Sequence, residues 1–250
     1  MRILLGLLLV VFAAPAGAVE VHYEAYAAGL NVIAVDADFD VSADRYRVKL
    51  EYRTVGGLSL VMSSRQSTTV EGRFAGGRAV PQRFYSAGTL RGGPRVTQID
   101  YRDGQPVVRQ LMPATETERE PVLPAQQADT IDSLSAMAEL IHTIQRTGRC
   151  DGKATTFDGR RLSVLEVRTS GPQTLEAQAR SSFAGATLRC DFVGRQLAGF
   201  MLNEDRTVLQ RPQIGTAWFA PLVPGGPVVP VRIAFKTRWF GDATMYAAVK

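Results

Sequence analysis

The chain has 250 residues, 45% of them hydrophobic, enough to bury a sizeable core, and β-rich chains of this length commonly form one domain. Twenty-nine Lys and Arg against 24 Asp and Glu give a formal charge of +5. The charges are interspersed rather than blocked, which fits solvated strand faces, speaks against a nucleic-acid partner and leaves anionic surfaces such as lipid headgroups or glycans open.

The first residues combine Arg2, an apolar run from Ile3 to Ala13, and the small-x-small triplet Ala16-Gly17-Ala18. These are the three parts of a secretory signal peptide, with cleavage expected after Ala18. Removing 18 residues from 250 leaves a mature chain of 232. No cysteine stands at the cleavage point to carry a lipid anchor, and no later run of about 18 apolar residues predicts a membrane span. The expected location is periplasmic or secreted.

Alternation with period two dominates the mature chain. In VIAVDADFDV, Ile33, Val35, Ala37, Phe39 and Val41 alternate with Ala34, Asp36, Asp38 and Asp40. In RYRVKLEYR, Tyr46, Val48, Leu50 and Tyr52 face one way, and Arg45, Arg47, Lys49, Glu51 and Arg53 face the other. Both predict strands with one buried and one wet face. Turn pairs at Ala28-Gly29, Gly76-Gly77, Asp103-Gly104 and Asp158-Gly159 separate β-like runs, so the strands should form hairpins in an antiparallel meander.

From Pro113 to Pro124 the chain is polar and proline-punctuated, and reads as a long connection. Leu134, Met137, Ala138, Ile141 and Ile144 then recur at helical spacing, with Asp132 placed as N-cap and Gly148 as the stop. Beyond it, VRIAFKTRW sets Val231, Ile233, Phe235 and Trp239 against Arg232, Lys236 and Arg238. The predicted fold is mainly β: a single antiparallel curved sheet or partly open β-barrel meander with one main α-helix, about 132–147. The expected domain plan is a signal peptide (1–18) and one β-rich domain (19–250). Within that domain lie a β half (19–112), a connecting loop (113–131), and a helix with a second β half (132–250).

Candidate chemistry is thin. His22 falls on a strand face opposite Val21 and Tyr23, and His142 lies one position off the helix stripe; both read as surface or half-buried residues, and zinc-ligand spacing is absent. Ser133 and Ser135 beside Asp132 look like helix-start residues rather than nucleophiles, and GLSLVMSSRQS lacks a nucleophile elbow. Asp36, Asp38 and Asp40 share a strand face, while Glu116, Glu118 and Glu120 sit in a connection expected to be mobile. Neither set assembles two carboxylates from different elements across a sugar-sized cleft. The glycine-rich RGGPR (Arg91–Arg95) and VPGGPVVP (Val223–Pro230) lack nucleotide-binding frames and read as turns. No catalytic, cofactor-binding or metal residue is therefore assigned, and no cofactor is expected.

The two cysteines are a different matter. Cys150 follows the helix stop and Cys190 ends GATLRC; they are the only cysteines of a chain read as exported, so a structural disulfide between them is expected. Asp158-Gly159 would then be a hairpin turn inside the closed loop.

The same region carries a family resemblance. Cys150-Asp151-Gly152 and Phe157-Asp158-Gly159-Arg160-Arg161, preceded by Asp132-Ser133-Leu134-Ser135-Ala136 and followed by Cys190, resemble domain-of-unknown-function family 3108, a group of exported bacterial proteins. The closing Val229-Pro-Val-Arg-Ile and Thr237-Arg-Trp-Phe-Gly are similar to that family's final strands. The resemblance implies an exported β-rich fold with a helix and no established reaction, so it lends no catalytic residues.

Two functional readings fit these features. The first is a non-enzymatic cell-envelope protein whose concave sheet holds a lipid or other apolar or amphipathic ligand, or docks an envelope protein. The alternative is a periplasmic hydrolase acting on envelope glycans or lipids, which would show a polar cleft with two inward carboxylates.

Overall fold

The computed structural model describes residues 18–90, 92–237 and 241–248. The expected signal peptide up to Gly17, Arg91, and the Arg238 and Trp239 placements lie outside the described residues. In the N-terminal half the strands are β1 (Val19–Ala27), β2 (Leu30–Val41), β3 (Arg45–Thr54), β4 (Ser64–Ala75), β5 (Arg78–Leu90), β6 (Gly93–Arg102) and β7 (Gln105–Met112). The C-terminal half holds β8 (Gly152–Phe157), β9 (Leu162–Leu175), β10 (Gly185–Ala198), β11 (Gln213–Pro221), β12 (Val228–Lys236) and β13 (Asp242–Ala248). Among the described residues four helices, α1 (Leu58–Val61), α2 (Pro124–Gln127), α3 (Ser133–Thr147) and α4 (Arg206–Leu209), and a 3₁₀ turn at Thr115–Thr117 interrupt them.

All thirteen strands form one antiparallel sheet in the order β7-β6-β5-β4-β3-β2-β1-β13-β12-β11-β10-β9-β8. Two meanders are thus spliced where the first strand meets the last, with Tyr23 opposite Ala247 and Ala27 opposite Ala243. The sheet stays open, with β7 and β8 at its edges. The alternation works as read: Val35, Ala37, Phe39 and Val41 of β2 and Tyr46 and Val48 of β3 are core residues, while the charged positions between them face out. Ala28-Gly29, Gly76-Gly77 and Asp103-Gly104 all take positive φ at both positions, the condition for a tight hairpin whose twist matches its strands.

Helix α3 covers the concave face and touches both halves of the sheet, from β2 through β5 on one side and β8 and β12 on the other. Asp132 caps its start, and Gly148 ends it at φ 66°, a left-handed residue whose N–H bonds to Ile144 O at 2.8 Å. Ala138, Ile141 and Ile144 carry its buried stripe.

The connection from 113 to 131, expected to be mobile, is instead built into the fold. Glu120 N–H donates to Phe200 O (2.9 Å) and Leu202 N–H to Glu118 O (3.0 Å), pairing it with the β10–β11 connection. Ile131 pairs with the β8 edge, accepting from Phe157 N–H at 2.8 Å and donating to Thr155 O at 3.1 Å. That bridge occupies backbone groups an open edge would otherwise present to another chain.

Cys150 and Cys190 are joined by a disulfide, with Cα atoms 6.2 Å apart and both residues fully buried. Cys190 lies inside β10 rather than at a strand end, because the run continues past a bulge between Arg189 and Cys190. The bridge ties the exit of α3 across β9 to β10.

Candidate functional site

The buried start of α3 is a capping network. Asp132 accepts the Ser135 N–H at 2.8 Å and the Ser135 hydroxyl at 2.5 Å, and Ser135 Oγ accepts the Tyr46 hydroxyl at 2.8 Å. Burial pushes the Asp132 carboxyl up to about 6, overcoming the hydrogen bonds from Ser135 that favour its charged form. Gly72 gives Tyr46 its place, since a Cβ there would collide with the phenol oxygen. The Tyr46 ring meets Phe74 at 5.1 Å, and Phe74 stacks on His142 at 4.0 Å. His142 is therefore buried, deeper than its position off the stripe suggests, because a flat ring of β4 lies directly beneath it. Burial also lowers its pKa. Ser135 donates to the Asp132 carboxyl, the residue that also accepts its N–H, and no histidine is hydrogen-bonded to it, so the cluster is arranged as a helix cap.

Next to it stands a wall of arginines. Asp158, in the β8–β9 turn, accepts the backbone N–H groups of Arg160 (3.0 Å) and Arg161 (2.7 Å) and pairs with the Arg161 guanidinium at 2.7 Å. Arg161 holds the Asp158 carboxyl below the usual range against its burial. The buried Arg160 side chain donates to Pro113 O at 2.7 Å and lies 3.7 Å from Glu118, which is itself held by Arg95 at 2.6 Å. Arg119 donates to Gly199 O at 2.9 Å. Four guanidiniums (Arg95, Arg119, Arg160, Arg161) thus share two carboxylates (Glu118, Asp158). Arg95 Nε, Arg119 Nε, and Arg160 Nε and Nη1 are shielded from solvent without a hydrogen-bond acceptor. Burial first, then neighbouring guanidiniums, depress the pKa of Arg119 and Arg160.

This wall borders a cleft of about 570 Å³ on the concave side, between the start of α3 and strands β8 to β12. Ser133 and Ala136 of α3 face Thr156, Leu165, Gly194 and Phe235 across it. Arg119, Arg161 and Arg211 line it with Asp158 and Glu204, while Arg195 and Lys236, which alternate with Gly194 and Phe235 onto the other face of the sheet, only border its edge. Ser133, Ala136 and Leu165 also wall a smaller hollow of about 180 Å³, where Met137, Leu140, Ala154 and Val167 supply an apolar surface. The two spaces therefore adjoin, and the smaller one combines that apolar floor with Arg78, Glu139, Asp151 and Lys153 around it. Sequence reasoning missed this site. Its arginines come from three separate segments, and none forms a local run; the only hint was the Arg160-Arg161 pair.

The other sequence candidates lie elsewhere. Asp36 and Asp38 share the outer sheet face, beside a hollow of about 420 Å³ with His22, Lys49 and Glu51. There Asp36 meets His22 at 2.7 Å and Arg53 at 3.2 Å, and Lys49 meets Glu51 at 2.8 Å. Asp40 is further along the same face. Of the connection's acids, Glu118 binds Arg95, Glu120 approaches Arg206 at 3.5 Å, and Glu116 is exposed. Among the described residues no group of three His, Cys, Asp or Glu side chains could hold a metal ion. No described helix is long and apolar enough to cross a membrane.

An open antiparallel sheet curled around α3 defines a β-barrel-like protein, and one solved structure agrees with that class. The family model described as a protein of unknown function, DUF3108, matches residues 20–248, and the chain belongs to that family. A β-barrel-like protein of domain of unknown function DUF1849 from Brucella abortus superposes with a TM-score of 0.54 at 15% identity, over 92% of this chain and 96% of that one. A domain described as an outer membrane lipoprotein-sorting protein from Vibrio parahaemolyticus aligns over 93% of this chain and 84% of its own, at 8% identity and a TM-score of 0.22. Among curated proteins nothing matches the sequence.

Proposed function

We propose that this is a non-enzymatic, exported cell-envelope protein that binds a hydrophobic or amphipathic ligand on its concave face beside α3. The observation that carries the reading is the cleft joined at Ser133, Ala136 and Leu165 to a hollow whose floor is the apolar Met137, Leu140, Ala154 and Val167. Its volume falls in the range of small-molecule sites, and open sheets of this kind offer such spaces. The buried disulfide supports export, because such bonds persist in oxidising compartments. A hydrolase would need an acid in the cleft whose proton is available near neutrality. Of the two acids in the lining, Asp158 and Glu204, Asp158 is ion-paired and held low, which disfavours it as a general acid.

The test is native mass spectrometry of the protein purified from a periplasm, with organic extraction of the same sample. A co-purifying amphiphile, displaced when Ala136→Trp fills the cleft, is the expected result. A ligand-free protein that also fails to bind apolar dyes would overturn the reading.

A further inference from the structure

We infer that the β3–β4 loop and the β1–β2 turn beside it form a tip that docks the protein on an anionic phospholipid bilayer. Leu60, Val61 and Leu30 are 88%, 83% and 69% exposed, the three highest values for large apolar side chains among the described residues. Single exposed apolar side chains are ordinary, whereas a cluster marks a contact surface. These three fall at one corner of the sheet. Val55 N–H donates to Val32 O at 3.0 Å, and a Cβ on Gly56 would stand 2.7 Å from Asn31 O, so the loop lies directly against the turn. Within the loop Leu58 and Met62 are half-buried, while Leu60 and Val61 stand out in solvent.

The tip itself carries only positive charge. Stretches 25–35 and 54–70 contain no Asp or Glu. Arg53 and Arg65 stand opposite each other at the foot of the loop, a like-charge pair that is unfavourable by itself. Arg180 reaches the turn from the β9–β10 connection, donating to Gly29 O at 3.1 Å and lying 4.6 Å over the Tyr26 ring. Arg53 meets Asp36, but among the described residues no carboxylate lies within ion-pair distance of Arg65 or Arg180. The first acids further down the strands are engaged: Glu24 accepts the Tyr26 hydroxyl, Asp36 meets His22 and Arg53, and Glu51 meets Lys49. The size of the tip favours a bilayer over a protein partner. Three side chains of this kind cannot supply the roughly 800 Å² per partner of a stable protein interface. A bilayer needs only a few inserted apolar groups with cations at headgroup level, and the two contributions add. The surface is separate from the concave site, so it stands or falls independently of the ligand-binding reading.

The experiment is co-sedimentation of the mature protein at low salt with vesicles of phosphatidylglycerol and phosphatidylethanolamine, or of phosphatidylcholine alone. Three variants are compared with the parent: Leu60→Ser with Val61→Ser at the tip, Leu123→Ser with Val223→Ser elsewhere, and Arg65→Gln with Arg180→Gln. All six side chains are exposed, and thermal melts establish that the variants fold. The parent should prefer anionic vesicles, and the tip variant should bind them at least about tenfold more weakly. The Leu123 and Val223 variant should match the parent, and the arginine variant should lose most of the preference for anionic over neutral lipid. No binding to either vesicle, equal binding by parent and tip variant, or equal losses in the tip and control variants would overturn the inference. An arginine variant that keeps the parent's preference would overturn its anionic part. Sedimentation velocity without lipid tests the other occupant: dimers formed by the parent and abolished in the tip variant would assign the tip to a second copy of the chain and overturn the bilayer.

Discussion

Replacing Asp132 with asparagine separates the geometry of the α3 cap from its charge. The carboxyl is fully buried and titrates at about 6 in the folded protein, against 3.8 for an ordinary aspartate. The folded state therefore keeps a proton that the unfolded chain releases between about pH 4 and 6. Stability from this group is highest below that window, falls as pH rises through it and levels off above. A difference of about two pH units at 1.36 kcal/mol each amounts to roughly 3 kcal/mol of destabilisation at pH 8. Asparagine keeps an oxygen for the Ser135 N–H and cannot ionise, though it gives up the attraction of a negative charge for a helix N-terminus, about 0.3–1 kcal/mol. Asp132→Asn should match the parent near pH 4 and exceed it by about 2 kcal/mol at pH 8, in urea unfolding with an unchanged m-value. Comparing variant with parent at each pH cancels the carboxylates that titrate in the opposite sense, such as Asp158 and Asp151. Parallel curves across this range, or a parent more stable at pH 8, would refute the argument that burial outweighs the cap's hydrogen bonds.

Two further changes probe the frame around the cleft. Converting Cys150 and Cys190 together to serine opens a closure of 40 residues. In the chain-entropy model that costs about 4 kcal/mol, a fall in Tm of roughly 8–16 °C for a domain of this size, and a Tm unmoved by the double change would contradict it. Gly199→Ala would drive a Cβ into the Arg160 carbonyl at φ +74°, so a loss of at least about 2 kcal/mol is expected. A variant melting with the parent would show that the 158–161 turn shifts freely, and the arginine wall with it.

The strands, the tight hairpins and the limits of α3 were legible because each depends on residues close in sequence. Tyr46 to Tyr52 declare a two-faced strand by alternation alone, and Asp132 and Gly148 bracket the helix by the hydrogen bonds its ends leave unmade. Reading failed where a neighbour supplied from afar decides the environment. His142 looked half-exposed until Phe74 was laid against it, and Glu118 looked mobile until Arg95 and the β10–β11 connection fixed it.

By itself the sequence determined the two-faced strands, the antiparallel connections, the capped helix and, through its only two cysteines, the pairing that staples them. Each follows from local sterics, from hydrogen bonding within a few residues or from simple counting. Only the tertiary structure decided that β1 and β13 join the two meanders, that Ile131 of the 113–131 connection pairs with the β8 edge, and that Arg119, Arg161 and Arg211 from three distant segments meet in one cleft. Register between the first and last strands and the convergence of charges from separate loops depend on the twist of the whole sheet. No short stretch of residues encodes that twist.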